Sequence, residues 1–244
     1  MGVIPGTGAG AGFFAAAAAA AGLQYVGGTT YVNDADATPN VPLTSLTGGL
    51  ASAPAAGDIV IVALASGSAG TNRNISATGY TEVADLYSDD TQDANMYVGY
   101  KVLSGADTVI DLDNDGGSLT ASAVHVWRGQ NATPLDVTST TATGIDTARP
   151  NPPSITPTTA GAVVIVMGAG CSAGDDSASP LTQSGSELSN FRAASENNGT
   201  TRTVHVAIGS KAWTSGAFDP VAFTGAAADA TDSWCAVSLA LRPA

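Results

Sequence analysis

Positive charge is scarce in this 244-residue chain. Only eight lysines and arginines stand against 21 aspartates and glutamates, which gives a formal net charge of −13. Proteins that bind nucleic acids or anionic membrane surfaces need clustered cations next to the phosphates. The eight basic residues are scattered along the chain. We therefore expect neither nucleic acid nor an anionic membrane surface as a partner.

Cysteine is also scarce, since the chain holds only Cys171 and Cys235. No CxxC pair is present, which argues against a zinc ribbon or a thioredoxin-like centre. The two residues are compatible with one disulfide or with two free thiols. Cys235 alternates with Val237 and Leu239, and this spacing favours a small apolar residue of the core.

A long apolar run is missing as well. The nearest is seven alanines at residues 15–21, preceded by Phe13 and Phe14 and bounded by glycines. It is too short and too weakly apolar to span a bilayer, and no basic residue precedes it as in a signal peptide. We expect no membrane insertion and an extended or short-helical segment that is retained in the mature protein.

This glycine- and alanine-rich segment has little surface of its own to bury, so its order must come from a partner. Residues 1–45 are therefore predicted to be an anchoring or assembly segment. Phe13 and Phe14, its bulkiest side chains near the N-terminus, are the predicted assembly residues. Residues 23–26 and 29–32 are predicted to add strands to the sheet edge of a partner.

Short apolar or alternating runs, separated by turn residues, make up the rest of the chain. The continuous apolar run at residues 59–64 is typical of a strand buried on both faces. Alternating runs follow at residues 95–103 and 121–128. All three then recur, at residues 161–167, 203–213 and 233–242. Because internal repeats define an architecture, the sequence predicts an all-β protein with two repeated halves of about five strands each.

A proline-rich stretch separates the two repeats. Residues 148–157 contain four prolines, which lack the backbone donor of a sheet ladder, so this stretch is predicted to be a crossover. Each half alone, 46–147 or 158–244, would leave an apolar face uncovered and edge strands exposed. We therefore predict a single β-sandwich domain over residues 46–244, jelly-roll-like in architecture.

Alternating aspartates form a candidate metal site. Asp111, Asp113 and Asp115, with the glycine that follows, have the D-x-D-x-D-G spacing of a calcium loop. However, Ser122 stands where an EF-hand has its bidentate glutamate, and the same residue types make ordinary hairpin turns. Calcium bound by these three carboxylates is one hypothesis and a turn is the other. No other cofactor is expected.

No catalytic motif is recognisable around the two histidines, His125 and His205, which both lie between valines. A scattered Ser-His-Asp triad or a pair of glycosidase carboxylates would leave no sequence signature. Trp127, Trp213 and Trp234 are residues that either stack on sugars or are buried at strand positions. The sequence favours a protein that is not an enzyme.

Several short motifs resemble those of a family of tailed-bacteriophage virion proteins that are usually described as structural or tail-fibre-like. The motifs are AGDIVI at 56–61, GYTEV at 79–83, YKV at 100–102, VWRG at 126–129 and TPLD at 133–136. The resemblance extends from about residue 46 to the C-terminus. It implies a β-sandwich and a place on the virion, and it carries no catalytic residue.

Together these observations predict a non-enzymatic virion structural protein, assembled in the host cytoplasm. It would face outward as a tail-fibre, adhesin or capsid decoration module, anchored by residues 1–45. Its partners would be copies of itself and other virion proteins, with a host-surface glycan or receptor as a further candidate. Two alternatives stay open: a secreted or cell-surface carbohydrate-binding module, and a glycoside hydrolase or esterase.

Overall fold

The computed structural model describes residues 22–33, 40–68, 70–90, 92–114, 119–145, 149–173, 179–197, 202–225 and 232–244. Within these residues all regular secondary structure is β-strand. The described residues contain no helix that is long and apolar enough to cross a bilayer. The strands are β1 (Gln24–Asn33), β2 (Asn40–Pro42), β3 (Ile59–Ser68), β4 (Ile75–Ala77), β5 (Thr81–Ser88), β6 (Asp93–Val102), β7 (Val109–Asn114), β8 (Thr120–Arg128), β9 (Gln130–Leu135), β10 (Thr140–Gly144), β11 (Val163–Ala173), β12 (Leu181–Thr182), β13 (Ser189–Asn197), β14 (Arg202–Ala212), β15 (Thr224–Gly225) and β16 (Ser233–Pro243). The predicted all-β fold is confirmed.

Two antiparallel sheets form the sandwich. The repeated strands β3, β6 and β8 lie in one sheet, and their counterparts β11, β14 and β16 lie in the other. The first has the order β1-β8-β3-β6-β5, and the second has the order β10-β16-β11-β14-β13 with β9 also beside β16. The prediction of a β-sandwich with two repeated halves is therefore confirmed. In a jelly roll the chain passes repeatedly between the sheets, whereas this chain completes one sheet before it begins the other. The reason is that each repeat supplies its own central strand with a partner on both sides.

The two sheets are related by an approximate two-fold axis that runs parallel to the strands. β3 and β11 are both central, and the strand orders on either side of them correspond one to one. Across the sandwich β1 packs against β13 and β5 packs against β10, so the two orders run in opposite directions. Gly67 near the end of β3 lies against Cys171 near the end of β11, so both strands run toward the same end. The fold therefore resembles a dimer of sheets within one chain.

Both faces of each sheet are buried. The inner faces pack together and bring Ile61 of β3 and Met167 of β11 into one core. On the outer face of the first sheet Val62 packs under β2, β4 and β7, and on that of the second sheet Val166 packs with Phe223. The predicted burial of the central strand on both faces is confirmed. Each such side chain contributes about 1.5–3 kcal/mol when fully buried.

Strand β1 is an edge strand of the first sheet. It pairs with β8 in a register that places Tyr25 opposite Trp127 and Thr30 opposite Ala123. Residues 23–26 and 29–32 were expected to extend a partner's sheet, and the structure corrects this: they complete the chain's own sheet. The physical reason is that β8 would otherwise present an unpaired backbone edge. The sandwich thus includes residues on the N-terminal side of the predicted boundary at residue 45.

The two ends of the sandwich differ in the residues that lie there. We call one the arginine end, where Arg128 pairs with Gln24 of β1 and the backbone N–H of Ala244 donates to Gly129 O at 2.8 Å. At the opposite, far end, Thr120 pairs with Asn33. In the two sandwich sheets six strands end at the far end and four begin there: β1, β3, β5, β10, β11 and β13 end, and β6, β8, β14 and β16 begin. Gly22, the first described residue, and Ala244 therefore both lie at the arginine end.

A fragment of residues 22–129, which holds only the first sheet, is expected to aggregate or to stay unfolded. Its inner face would expose the apolar side chains that the second sheet covers in the whole protein. Size-exclusion chromatography and circular dichroism of this fragment, beside residues 22–244 as the control, provide the measurement. A monomeric fragment with cooperative unfolding would contradict the shared core.

Candidate functional site

A buried carboxylate at the arginine end joins β8 to the turn before β3. Asp58 accepts hydrogen bonds from Arg128 through Nε at 2.7 Å and a terminal guanidinium nitrogen at 3.1 Å. The backbone N–H of Ala55 donates to the same carboxylate at 2.8 Å. Such a bidentate pair has a fixed geometry, which holds the strand to the turn.

The second sheet has an equivalent lock with an acid from another position. Arg242, which corresponds to Arg128, donates through Nε to Asp136 at 3.2 Å, and the backbone N–H of Thr159 donates to it at 3.1 Å. Burial alone would raise the pKa of Asp136, but hydrogen bonds from Thr159, Thr158 and Arg242 hold it well below the usual range. Ala162 stands at the position of Asp58, so Asp136 supplies the missing carboxylate.

His125 lies between the sheets. Its Nε2–H donates to the backbone carbonyl of Asn190 on β13 at 2.8 Å, and its ring meets that of Tyr25 edge-on at 5.0 Å. Burial lowers the pKa of His125 to about 3, and the nearby positive charge of Arg192 acts in the same direction. Asn190 is held at φ 56°, with its side-chain amide donating to Ser210 at 2.9 Å. His125 is therefore a neutral residue that fastens one sheet to the other.

His205 forms a different buried pair on the outer face of β14. Its Nε2 lies 3.1 Å from the Oγ of Ser172, and both residues are fully buried. Burial lowers the pKa of His205 to about 4. No carboxylate among the described residues hydrogen-bonds to His205, so a Ser-His pair is present without the acid that orients a catalytic triad.

The three tryptophans differ in how they are buried. Trp127 lies in the inner core beside Tyr25, and Trp234 is covered by β10, whose Gly144 leaves room for the indole. Trp213, immediately after β14, is only partly buried, and its Nε1–H donates to Gly216 O at 2.8 Å. Of the three, Trp213 has the position that suits contact with a ligand.

A small cleft opens beside Trp213 at the arginine end. It has a volume of about 70 Å³ and is lined by Val164, Lys211, Trp213, Ser215, Ala217 and Phe218. Aromatic walls beside an ammonium group favour a ligand that joins an apolar part to a negative charge. This cleft is the candidate binding site.

Among the predicted site residues that the structure describes, Asp111 and Asp113 do not line this cleft. Asp111 and Asp113 are exposed on β7, where Asp111 accepts a hydrogen bond from Thr78 at 3.3 Å. Asp115, Phe13 and Phe14 lie outside the described residues. The calcium site and the assembly role of the two phenylalanines stay predictions.

Both cysteines are free thiols in the inner core, which resolves the alternative left by the sequence. Register explains this: Cys171 is opposite Ser233, and Cys235 is opposite Ala169. Burial raises the pKa of Cys171 to about 12, so the reactive thiolate is disfavoured. Neither thiol is placed for chemistry.

Sequence reasoning missed the two carboxylate–arginine locks and the cleft. One signal was available, since Arg128 and Arg242 end the same repeated strand. The acids could not be matched in this way because Asp58 precedes β3 whereas Asp136 follows β9, so they do not occupy repeated positions. The cleft depends on which residue a turn places beside Lys211, and spacing along the chain does not reveal that contact.

Replacing Asp136 by asparagine is expected to lower the free energy of unfolding by about 2–3 kcal/mol, because Arg242 and the threonine donors lose a charged acceptor. Urea unfolding at pH 7 measures the loss, with the exposed Asp219→Asn as control, expected to cost under about 0.5 kcal/mol. A carboxyl with a lowered pKa stabilises above its unfolded value, so the deficit should shrink below about pH 4. Equal costs for the two variants would contradict the lock.

The free energy of unfolding is expected to fall as the pH drops from about 6.5 toward 4. In this range the histidine is protonated in the unfolded chain, whereas buried His125 stays neutral in the folded protein. The contribution of His125 to this fall is on the order of 3 kcal/mol. His125→Leu, which copies Leu239 at the corresponding position, should make the pH dependence shallower, and His205→Asn, which copies Asn95, should do so to a smaller extent. Urea unfolding at several pH values tests this, and an unchanged slope in His125→Leu would show that the ring is protonated in the folded state.

No protein-family model, curated protein or solved structure matches this chain. The geometry of its own residues must therefore indicate what the protein does.

Proposed function

We propose that this chain is a non-enzymatic structural module of a phage virion, anchored through its N-terminal segment at the arginine end and facing outward with its far end. It would serve as a tail-fibre, adhesin or decoration module, assembled in the host cytoplasm, with other virion proteins and copies of itself as partners. The observation that carries the proposal is the opposition of the two ends. β1 enters at the arginine end, while ten strand termini gather about one sandwich length away.

The contacts of the motif residues support a scaffold role. Asp58, Arg128 and Asp136 belong to the motifs that resemble the phage family, and each is an ion-pair partner at the arginine end. Lys101 and Tyr80 belong to them too, and the ammonium group lies 5.8 Å from the ring centroid. These residues hold strands and turns together, so the motifs that carry the resemblance have structural roles.

The buried histidines and thiols also favour a structural role over a hydrolytic one. His125 and His205 are both engaged inside the fold with pKa values lowered by burial, which opposes use as a general base near neutral pH. Ser172, which accompanies His205, has no exposed surface through which a substrate could reach it. The hydrolase alternative has no comparable observation in its favour.

Carbohydrate binding is the second candidate function, and the position of Trp213 favours it. A partly buried indole beside Phe218 and Lys211 is an arrangement that could contact a sugar ring. Binding of the isolated protein to a glycan array, lost in Trp213→Ala, would favour this alternative.

Deleting residues 1–21 is expected to leave the sandwich folded and to abolish incorporation into particles. Those residues precede the described sheets, whose strands pair without them. Circular dichroism measures the fold, and mass spectrometry of purified virions measures incorporation. Phe13→Ala with Phe14→Ala should reduce incorporation, whereas the control Asp113→Ala, exposed on β7, should not.

Orientation is tested on the same particles. A peptide tag inserted between residues 116 and 117 should bind antibody on intact virions, and a tag after Ala244 should be shielded. Normal incorporation of the folded truncation, or absence of the protein from any virion, would refute the proposal.

A further inference from the structure

The approximate two-fold axis allows the cleft beside Lys211 to be compared with the same place in the first half. β6 and β14 occupy corresponding positions, and their pairing with β3 and β11 makes Lys101 equivalent to Lys211. The turns that follow have equal length, because matching backbone hydrogen bonds flank them. Those bonds are Leu103 N to Asp58 O and Leu43 N to Thr108 O in the first half, and Trp213 N to Ala162 O and Ile155 N to Phe218 O in the second.

This equivalence places Asp107 of the first half at the position of Ala217 in the second. In the first half the ammonium group of Lys101 lies 2.7 Å from a carboxylate oxygen of Asp107. An ion pair therefore joins Lys101 to the turn that follows β6. The first half thus shows that a carboxylate fits beside the lysine at this position of the fold.

In the second half the lysine has no such partner. Ala217 carries no carboxylate, and among the described residues no ion pair involves Lys211. Its ammonium group donates to the backbone carbonyl of Glu187, at a long 3.3 Å, and within the described part of the chain no carboxylate pairs with it. The carboxylate of Glu187 itself accepts from the backbone N–H of Val221 at 3.1 Å. What remains beside Lys211 is the cleft of about 70 Å³.

We propose that this cleft binds a carboxylate, carried by an aspartate or glutamate side chain of a neighbouring polypeptide. The incoming carboxylate would pair with Lys211, in the place that Asp107 takes beside Lys101. Trp213 and Phe218 would contact the aliphatic part of the incoming residue. The cleft is thus an assembly contact for an acidic loop.

Size and position favour a side chain over a whole sugar. Pockets that enclose complete small molecules usually measure about 300–1,000 Å³, far above the 70 Å³ of this cleft. The cleft also lies at the arginine end, where β1 begins. That the neighbour is a particle protein rests on the proposed function, whereas the carboxylate chemistry does not.

The test is a titration of the full chain followed by NMR at the Trp213 indole N–H. The probe is N-acetyl-aspartate methylamide at constant ionic strength, and the uncharged asparagine compound serves as its control. We expect a saturable shift with a dissociation constant on the order of millimolar, to which the ion pair with Lys211 and the apolar contacts with Trp213 and Phe218 both contribute. The asparagine compound should give no saturable shift.

Two variants and one matched control connect the shift to the cleft. Lys211→Met should weaken binding at least about tenfold, a difference of about 1.4 kcal/mol. Ala217→Asp should also abolish it, because the new carboxylate would occupy the place of the ligand as Asp107 does, and Ala217→Asn should retain it. Lys101→Met, whose lysine is already paired within the chain, should bind like the wild type.

Several results would overturn the proposal: no saturable shift with the aspartate compound, an equal shift in Lys211→Met, or retained binding in Ala217→Asp. A tenfold preference for glucuronate over the aspartate compound would replace the polypeptide by an acidic sugar. The two proposals are tested independently. A negative titration would overturn the carboxylate site and say nothing about incorporation into virions, and a negative incorporation assay would overturn the virion role and say nothing about the titration.

Discussion

The need of each sheet to cover two apolar faces is the constraint on which the rest of the structure depends. A sheet with one wet face would alternate along its strands, but β3 and β11 are apolar at successive positions, including Val60 with Ile61 and Val164 with Ile165. One face of each is covered by the other sheet, and the second is covered by short strands and turns of its own half. This requirement explains why the two sheets are joined in one unit. It also explains why Asp58, Asp136 and His125, which are buried between elements, accept or donate hydrogen bonds across turns or between the sheets.

The duplicated architecture is informative where its two copies differ. Each sheet has an arginine–carboxylate lock, but the acid is Asp58 in the first sheet and Asp136 in the second, and these two acids do not occupy repeated positions. Another contact is present in one half only. Asp107 forms an ion pair with Lys101, whereas the corresponding Ala217 leaves a cleft beside Lys211. A difference that keeps the backbone hydrogen bonds but removes one charge changes the surface without changing the fold.

The chemistry of the interior supports the structural role that we propose. His125, His205 and Asp136 form hydrogen bonds inside the fold, with pKa values lowered by burial for the histidines and by hydrogen bonds for Asp136. Burial also raises the pKa of the Cys171 thiol. Strand β1 begins at the arginine end, and this position suits a protein that is attached at one end and exposed at the other. We propose this role within a virion, where the arginine end would meet the particle.

The sequence by itself determined the all-β class, the repeat and the central strand, because apolar periodicity and turn residues act over a few neighbouring residues. It also indicated correctly that Val124 and Val126 face away from His125 and Trp127, since strand side chains alternate. Tertiary structure alone decided that β1 completes its own sheet, that His125 reaches Asn190, and that Asp136 replaces Asp58 in the second lock. Those contacts join residues far apart in the chain, and their partners are selected by three-dimensional packing, which local spacing does not encode.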